Sequence, residues 1–215
     1  MYLNSGSELV YSPSDLILFV QSPFACWMER LRLVRPDIAV RDEPSEELML
    51  IAKTGELHEA AYLQSLRDAN HDICEITGDR HHAGTATLQA ISDQREIIFQ
   101  SYLSLPPFAG YADFLVREAG NDTRYEIWDT KLARKPKPYY LIQLCCYAEM
   151  LEKVQGSRPD TLRVVLGTNQ IASFRTDDFY FYYRHLKAAF LDLMDQFDPD
   201  ADAPAPDPRG KHGSW

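Results

Sequence analysis

Two side chains near the middle of the chain could take part in metal-assisted chemistry. Asp129 and Lys131 are two residues apart in the segment 125–131, which has the alternating polarity of a β-strand. Because side chains alternate across a strand, the acid and the amine share one face. A carboxylate beside an ammonium, with a second carboxylate from a neighbouring strand, is a plausible holder for a divalent cation and the water that it activates.

The second carboxylate is that of Asp113. It lies in the segment 110–116, which is rich in β-forming residues, and the link 119–123 has the Gly, Asn and Asp residues that a hairpin connection needs. A solvated cross-strand ion pair is the ordinary explanation of an acid-x-Lys triplet. The scarcity of the pattern favours a functional role. Among the seven lysines of the chain, only Lys131 has an acid two positions earlier.

Length and composition predict one domain with a tail. The 215 residues, 45% of them hydrophobic, suffice for one core of ordinary size. We expect the domain to cover 1–197, with a helical N-terminal part at about 12–68 and a catalytic core at about 95–197. The Pro- and Asp-rich composition of segment 198–215 predicts a linker or tail that has no apolar surface to bury.

Charge and hydropathy narrow the class of protein. A formal charge of -10 argues against a protein that coats nucleic acid non-specifically, so phosphate contacts require a local basic patch. The segment 131–137 is such a patch. The sequence has no secretory signal, and its longest apolar run is shorter than the roughly 20 residues that span a bilayer. These features predict a soluble cytoplasmic protein without a membrane partner.

Periodicity and capping predict the elements that must position these residues. A helix begins near residue 13, with Ser12 as its N-cap, and is disturbed at Ser22 and Pro23. Further helices are expected at 45–68, 82–93, 139–155 and 177–197. Strands are expected at 71–76, 97–103, 110–116, 125–131, 161–167 and 171–175.

Four short motifs stand in a fixed order along these elements. They are Gly55-x-x-His58, Gly110-x-x-Asp113, Asp129-x-Lys131 and Gln143-x-x-x-Tyr147. Together they resemble the RecB-like and Dna2-like branch of the PD-(D/E)XK nuclease superfamily, which includes CRISPR-associated exonucleases, over about residues 12–190. The resemblance implies an α/β restriction-endonuclease-like core, in which helices flank a central mixed β-sheet.

The resemblance also implies roles for individual residues. Asp113 and Asp129 would bind metal, with the backbone carbonyl of Thr130 as a further ligand, and Lys131 would position or polarise the attacking water. His58 would be an additional metal ligand, although a histidine on an amphipathic helix is ordinarily exposed or simply satisfied. An imidazole among oxygen ligands suits manganese, so the expected cofactor is Mg²⁺ or Mn²⁺.

Five more residues are expected along the path of the nucleic acid. Gln143 and Tyr147 share a helix face and would shape the site and guide the strand. Arg134, Lys135 and Lys137 would bind neighbouring phosphates, which sets position and not sequence preference. The plainer alternatives are residues at the edge of a helical core for the first pair and a solvated turn for the three cations.

The cysteines depart from part of the family pattern. Several relatives hold an iron-sulfur cluster with one cysteine near the N-terminal helices and three near the C-terminus. Cys26 matches the first position, but Cys74, Cys145 and Cys146 all precede the C-terminal segment. No iron-sulfur cluster is therefore expected.

The expected function is metal-dependent hydrolysis of phosphodiester bonds in DNA, single-stranded or at ends. The chain would be a module of a longer repair or defence protein, with a fused or associated helicase. One alternative is a catalytically inactive nucleic-acid-binding or scaffold domain that keeps the fold. Another is a hydrolase of small phosphoesters, which would need a closed pocket where a nuclease needs an open groove.

Overall fold

A computed structural model describes residues 1–118, 120, 124–213 and 215. Helices flank a six-stranded mixed sheet, which confirms the α/β class. The sheet contains β3 (Ile73–Glu75), β4 (Ile97–Leu105), β5 (Phe108–Arg117), β6 (Tyr125–Lys131), β7 (Thr161–Leu166) and β8 (Ile171–Arg175). The helices are α1 (Pro13–Gln21), α2 (Pro23–Val34), α3 (Glu46–Asp68), α4 (Arg80–Ser92), α5 (Pro138–Gln155) and α6 (Asp177–Asp195).

The order of the strands puts the predicted hairpin strands in the middle of the sheet. The order is β3-β4-β5-β6-β7-β8, with parallel pairing between β3 and β4 and between β6 and β7, and antiparallel pairing elsewhere. A parallel pair needs a crossover, which α5 provides between β6 and β7. The central position expected for these two strands is confirmed.

The start of the chain forms a further small hairpin that periodicity does not predict. The strands β1 (Tyr2–Leu3) and β2 (Leu9–Val10) are only two residues each and pair antiparallel. The hairpin is tied to the domain at both ends. The amino group of Met1 lies 2.7 Å from a carboxylate oxygen of Asp15, and Tyr11 pairs with Phe108 of β5.

Local capping explains why the N-terminal helix is broken in two. The Ser12 N–H donates to Asp15 Oδ2 at 2.7 Å, which satisfies a backbone group at the start of α1. Ser22 then ends α1 and caps α2, where its Oγ accepts from the Ala25 N–H at 2.9 Å. The predicted disturbance at Ser22 and Pro23 is thus the boundary between two helices.

Two apolar clusters lie on opposite faces of the sheet. The larger packs α1, α5 and α6 against residues such as Ile98 and Leu115. The smaller contains Leu63 of α3 with Ile97 and Phe114. Since neighbouring residues of a strand point to opposite faces, α3 occupies the face opposite to α5.

The C-terminal segment differs from the expected tail, because it packs on α2. The His212 ring lies 5.7 Å from the Phe24 ring. His212 Nδ1 lies 2.7 Å from Ser22 Oγ, and Trp215 Nε1 donates to Glu29 Oε1 at 2.8 Å. These side chains bury surface that a free linker would leave in water.

The hairpin link and the absence of a membrane span are two further expectations from the sequence. Of the predicted hairpin link 119–123, only Gly120 lies within the described residues, and its φ of 79° is in the left-handed region that favours glycine. Among the described helices, none combines the length and the hydropathy that crossing a bilayer requires.

Candidate active site

Asp113 and the Asp129-x-Lys131 segment meet through direct hydrogen bonds. The backbone N–H of Thr130 donates to Asp113 Oδ2 at 2.8 Å, and the Thr130 hydroxyl donates to the same oxygen at 2.9 Å. One strand thereby fixes the carboxylate of its neighbour. Two of the predicted motifs come together at the centre of the sheet.

The second carboxylate, Asp129, is almost completely buried and pairs with Lys131. Asp129 is 3% exposed, and the Lys131 ammonium lies 2.5 Å from its Oδ2. Burial raises the pKa of Asp129 to about 7, with Asp113 acting in the same direction and Lys131 opposing it. Burial alone would lower the pKa of Lys131, but the two aspartates outweigh this effect and raise it. The ammonium therefore stays charged beside a carboxylate that is near its titration point at neutral pH.

Glu59 is a third carboxylate in this cluster, and none of the four sequence motifs includes it. It projects from α3 into the cleft lined by Asp113 and Lys131, and the Gln100 amide donates to its Oε1. Burial and the nearby Asp113 raise the pKa of Glu59 to about 7, against the opposing effects of Gln100 and Lys131. Residue 59 is four positions after Gly55, so the two share a helix face, but His58, three positions after Gly55, meets the same criterion. The spacing in the sequence therefore does not single out Glu59.

His58 lies one position away but in different surroundings. The side chain is half-buried, and its Nε2 is buried without a hydrogen-bond partner. Tyr62, one turn further along α3, packs edge-on against Phe114 at 5.4 Å between ring centroids. Among the described residues, no hydrogen bond or ion pair joins His58 to either aspartate. The structure brings Glu59, rather than His58, to the wall of the cleft.

An open cleft of about 590 Å³ gives access to these groups. Its lining includes the aliphatic side chains of Ile51 and Leu132 as well as Lys137 and Tyr140. Gly55 also lines the cleft, and a Cβ built on it would be 4.0 Å from Leu132 Cδ1, an ordinary contact distance. Among the described residues, no backbone atom of another element lies within 4 Å of that Cβ. A glycine at this position leaves room in the cleft that a side chain would occupy.

The Gly110-x-x-Asp113 and Gln143-x-x-x-Tyr147 motifs pack against each other. Tyr147 is 4% exposed, and its hydroxyl donates to the Tyr111 carbonyl at 2.6 Å. A Cβ on Gly110 would lie 2.9 Å from that hydroxyl, so only glycine allows this packing. Tyr147 thus supports β5 two residues before Asp113. Its burial leaves little surface for stacking on a base, whereas half-buried Gln143 lines an adjoining cleft of about 310 Å³.

The three predicted basic residues follow β6 directly. All three are exposed, and Lys137 also lines the cleft. Within the described part of the chain, neither Arg134 nor Lys135 has a carboxylate partner, so their charges are available to an anion. The loop is fixed on its inner side. The Gly167 N–H donates to the Ala133 carbonyl at 3.2 Å, and a Cβ on Gly167 would collide with the Leu132 carbonyl oxygen at 2.3 Å.

The cysteines belong to the packing of the core. All four are free thiols, and Cys26, Cys145 and Cys146 are buried. Burial raises the pKa of Cys145 and Cys146 to about 12, so both thiols stay protonated at neutral pH.

The donor atoms at the cleft have the chemistry that a hard divalent cation prefers. Asp113 and Glu59 line the cleft and supply carboxylate oxygens, and the buried Asp129 is paired with Lys131, which also lines it. Two buried atoms outside the lining, Asp129 Oδ2 and His58 Nε2, have no hydrogen-bond partner. The contact between Asp129 Oδ2 and Lys131 is thus an ion pair without hydrogen-bond geometry. Among the described residues, however, no group of three or more His, Cys, Asp or Glu side chains already lies close enough together to hold a metal. A cation would have to draw the carboxylates inwards.

No family model matches this sequence, and neither does any curated protein. Among solved structures, the chain is similar to the crystal structure of SSO0001, with 12% sequence identity and a TM-score of 0.46. The likeness covers 86% of this chain and 77% of that one. A likeness of this degree carries no information about the chemistry of the cleft.

Proposed function

We propose that this protein is a metal-dependent nuclease that hydrolyses phosphodiester bonds of DNA in the cytoplasm, acting on single strands or ends. One observation carries the proposal. An open cleft brings the acids Glu59 and Asp113 together with Lys131, and exposed cations lie at its rim. An extended polyanion can pass through an open cleft, whereas a closed pocket would suit a small phosphoester.

The proposed cofactor is Mg²⁺ or Mn²⁺, held by Asp113, Asp129 and Glu59. His58 stays a further proposed ligand through its buried, unpartnered Nε2, but it does not line the cleft, so α3 would have to shift for it to reach the cation. A bound divalent cation would supply charge to stabilise the phosphorane-like transition state and the leaving oxygen. The carbonyl of Thr130 stays a proposed ligand, while the N–H and hydroxyl of the same residue orient Asp113.

Lys131 has the position and the charge to act on the attacking water. Its ammonium is held at Asp129 and stays charged, since the neighbouring acids raise its pKa. It would orient the water and add positive charge beside the scissile phosphate. Arg134, Lys135 and Lys137 would bind the flanking phosphates, a contact that is independent of sequence.

A second candidate function is a non-cleaving nucleic-acid-binding domain. It is favoured by the absence, among the described residues, of a preassembled group of metal ligands. In that case Lys131 would serve permanently as the counter-ion of Asp129. The basic loop would then bind DNA without hydrolysis.

A substrate panel separates these candidates. Labelled single-stranded DNA, duplex DNA and RNA are incubated with Mg²⁺, Mn²⁺ or EDTA, with wild type, Asp129→Ala, Lys131→Ala and the control Lys153→Ala, which removes an exposed lysine. We expect wild type and the control to cleave DNA only with metal. Both active-site variants should lose at least about 10²-fold in rate, as when one stabilising charge is removed from a transition state.

Binding and melting temperature complete the panel. The active-site variants should retain DNA in EDTA and melt close to wild type. DNA binding without cleavage in any metal would support the second candidate. Cleavage of small phosphoesters alone would contradict both.

A further inference from the structure

A second cleft, of about 690 Å³, lies between the N-terminal hairpin, the start of α4 and the β4–β5 turn. It is separate from the acid cluster, and the proposed function does not use it. Four residues, Tyr2, Arg80, Tyr102 and Ala109, line both this cleft and the smaller one that contains Gln143. The two cavities therefore adjoin each other.

The smaller cleft lies near the acids along β5. Its lining includes Gly110 and Tyr111, and Tyr111 is only two residues before Asp113 on that strand. Its lining also includes Gln143, one turn after Tyr140, which lines the cleft at the acids. Neighbouring residues of β5 and of α5 thus line the two clefts, although no described residue lines both.

Aromatic rings line the smaller cleft and the adjoining hairpin cleft. The hydroxyls of Tyr2 and Tyr102 are 3.4 Å apart, and the rings of Tyr102 and Tyr111 lie 5.0 Å apart. All three side chains are half-buried, so part of each ring is accessible. Nucleobases stack on such rings without regard to sequence.

The charges in the hairpin cleft favour bases over phosphates. The Arg80 guanidinium lies 3.8 Å from the centre of the Tyr2 ring and has no carboxylate partner in the described part of the chain. Two acids also line the cleft, but each has a partner. Glu8 accepts from the Asn4 amide at 2.9 Å, and Asp79 lies 2.9 Å from the His82 ring nitrogen. One unpaired cation can hold a single phosphate, while the acids discourage a row of them.

We infer that the hairpin cleft is a remote subsite for unpaired nucleotides of the DNA strand whose phosphate lies at the acid cluster. The inference rests on the proposed function and adds to it the segment of substrate that this cleft takes. A base would stack beside Tyr2 and Tyr102, and Arg80 would bind the adjoining phosphate. A duplex cannot offer such a base without melting, so the subsite selects single strands.

The length of β5 sets the expected spacing. Ala109 and Phe108 are four and five residues from Asp113, which corresponds to roughly 14–17 Å at about 3.4 Å per residue. A stacked strand covers that distance with about four or five nucleotides, at about 3.4 Å each. Oligonucleotides shorter than this should not reach from the acids to Arg80.

The experiment measures binding as a function of length. Fluorescence anisotropy follows labelled oligo(dT) of 3, 5, 8 and 12 nucleotides on the full chain in EDTA. We expect the wild-type Kd to tighten by about tenfold or more between 3 and 8 nucleotides, the contribution of a stacked base. Arg80→Ala and Tyr2→Ala should lose this gain while binding the 3-mer as wild type does. Arg184→Ala, which removes an exposed arginine of α6, should match wild type throughout.

Several results would overturn the inference. These are an unchanged length dependence in Arg80→Ala and Tyr2→Ala, equal binding of duplex and single strand, or equally potent competition by free dTMP. A general loss of melting temperature in both variants, with weaker 3-mer binding, would also overturn it. Cleavage in Mn²⁺ is measured separately. If binding depends on length but no cleavage occurs, only the nuclease proposal is contradicted. If Arg80→Ala cleaves both the 3-mer and the 8-mer as wild type does, only the subsite is contradicted.

Discussion

The two helices that carry motif residues, α5 and α3, are integrated into the molecule very differently. Ten of the 18 residues of α5 are buried, and the helix lies at the centre of the larger core cluster. Only Leu63 is buried among the 23 residues of α3. The first half of α3 instead exposes large aliphatic side chains, namely Leu48, Met49, Leu50, Ile51 and Leu57.

This difference separates two kinds of site residue. Tyr147 on α5 is part of the core, so its contribution is to hold β5 in place. Glu59 on α3 stands on a helix that is attached mainly through its second half, where Tyr62, Leu63 and Leu66 pack in the smaller cluster. The stability of the fold should therefore depend on α5, whereas the chemistry should depend on a side chain that the fold hardly needs.

The largest expected effect is on stability and tests this contrast directly. Leu144→Ala, at a fully buried position of α5, should lower the free energy of unfolding by about 2–5 kcal/mol because it leaves a cavity. Leu57→Ala, at a position of α3 that is 61% exposed, should change it by less than about 0.5 kcal/mol. Urea unfolding measures both. Losses of similar size would show that α3 is as deeply integrated as α5.

Glu59→Gln should produce the opposite combination of effects. This substitution removes a carboxylate from the acid cluster and should lower the cleavage rate by about 10²-fold or more. Losses of this size are typical when a group that stabilises a charged transition state is removed. The melting temperature should not fall, because the amide avoids the cost of burying a charge beside Asp113. Single-turnover cleavage and thermal melts check this. The matched control is Glu56→Gln, an exposed acid of the same cleft, which should cleave like wild type.

Most of the fold could be predicted from the sequence, because local signals agree with the tertiary arrangement. Ser12 and Pro13 predict the start of α1, which begins at Pro13. Gly156, with a φ of 78°, ends α5 at the predicted position. Alternating polarity located β6 to the residue. The hairpin of β1 and β2 was missed because two-residue strands have no periodicity.

The candidate site was only partly predictable from the sequence. The spacing of Asp129 and Lys131 fixes their common face, and strand pairing brings Asp113 to them. Which residue of α3 faces them depends on the rotation of the helix about its own axis, and packing of Tyr62 and Leu63 sets that rotation. A rotation of one position, about 100°, decides between His58 and Glu59. No local signal in the sequence fixes it.

The pH dependence of stability should expose the acid cluster in the metal-free protein. Glu59 and Asp129 have a pKa of about 7 in the fold, against about 4 in an unfolded chain. Between these values the folded state binds more protons, so the free energy of unfolding should fall as pH rises from about 4 to about 7 and then level off. Melts in EDTA from pH 5 to 8 measure this trend.

Other acids of this chain could contribute to the same trend, since its formal charge is -10. The comparison with variants isolates the cluster. Glu59→Gln should flatten the dependence, while Glu56→Gln should change it much less, because Glu56 is the smallest of the causes that raise the pKa of Glu59. Identical slopes in wild type and Glu59→Gln would show that Glu59 does not titrate in this range. Added Mn²⁺ should raise the melting temperature chiefly above pH 7, where the carboxylates are free of protons.

Gly55→Ala should give the smallest effect and the sharpest test of what α3 is for. Alanine in a helix interior is favoured over glycine by up to about 1 kcal/mol, and the new methyl would meet Leu132 only at 4.0 Å. Stability should therefore rise slightly, and Ala60→Gly, at an exposed position of the same helix, should lower it by a similar amount. If the glycine keeps the cleft wide for a DNA strand, Gly55→Ala should raise KM while Ala60→Gly leaves it unchanged. A more stable variant with wild-type KM would mean that the strand does not pass over this part of α3.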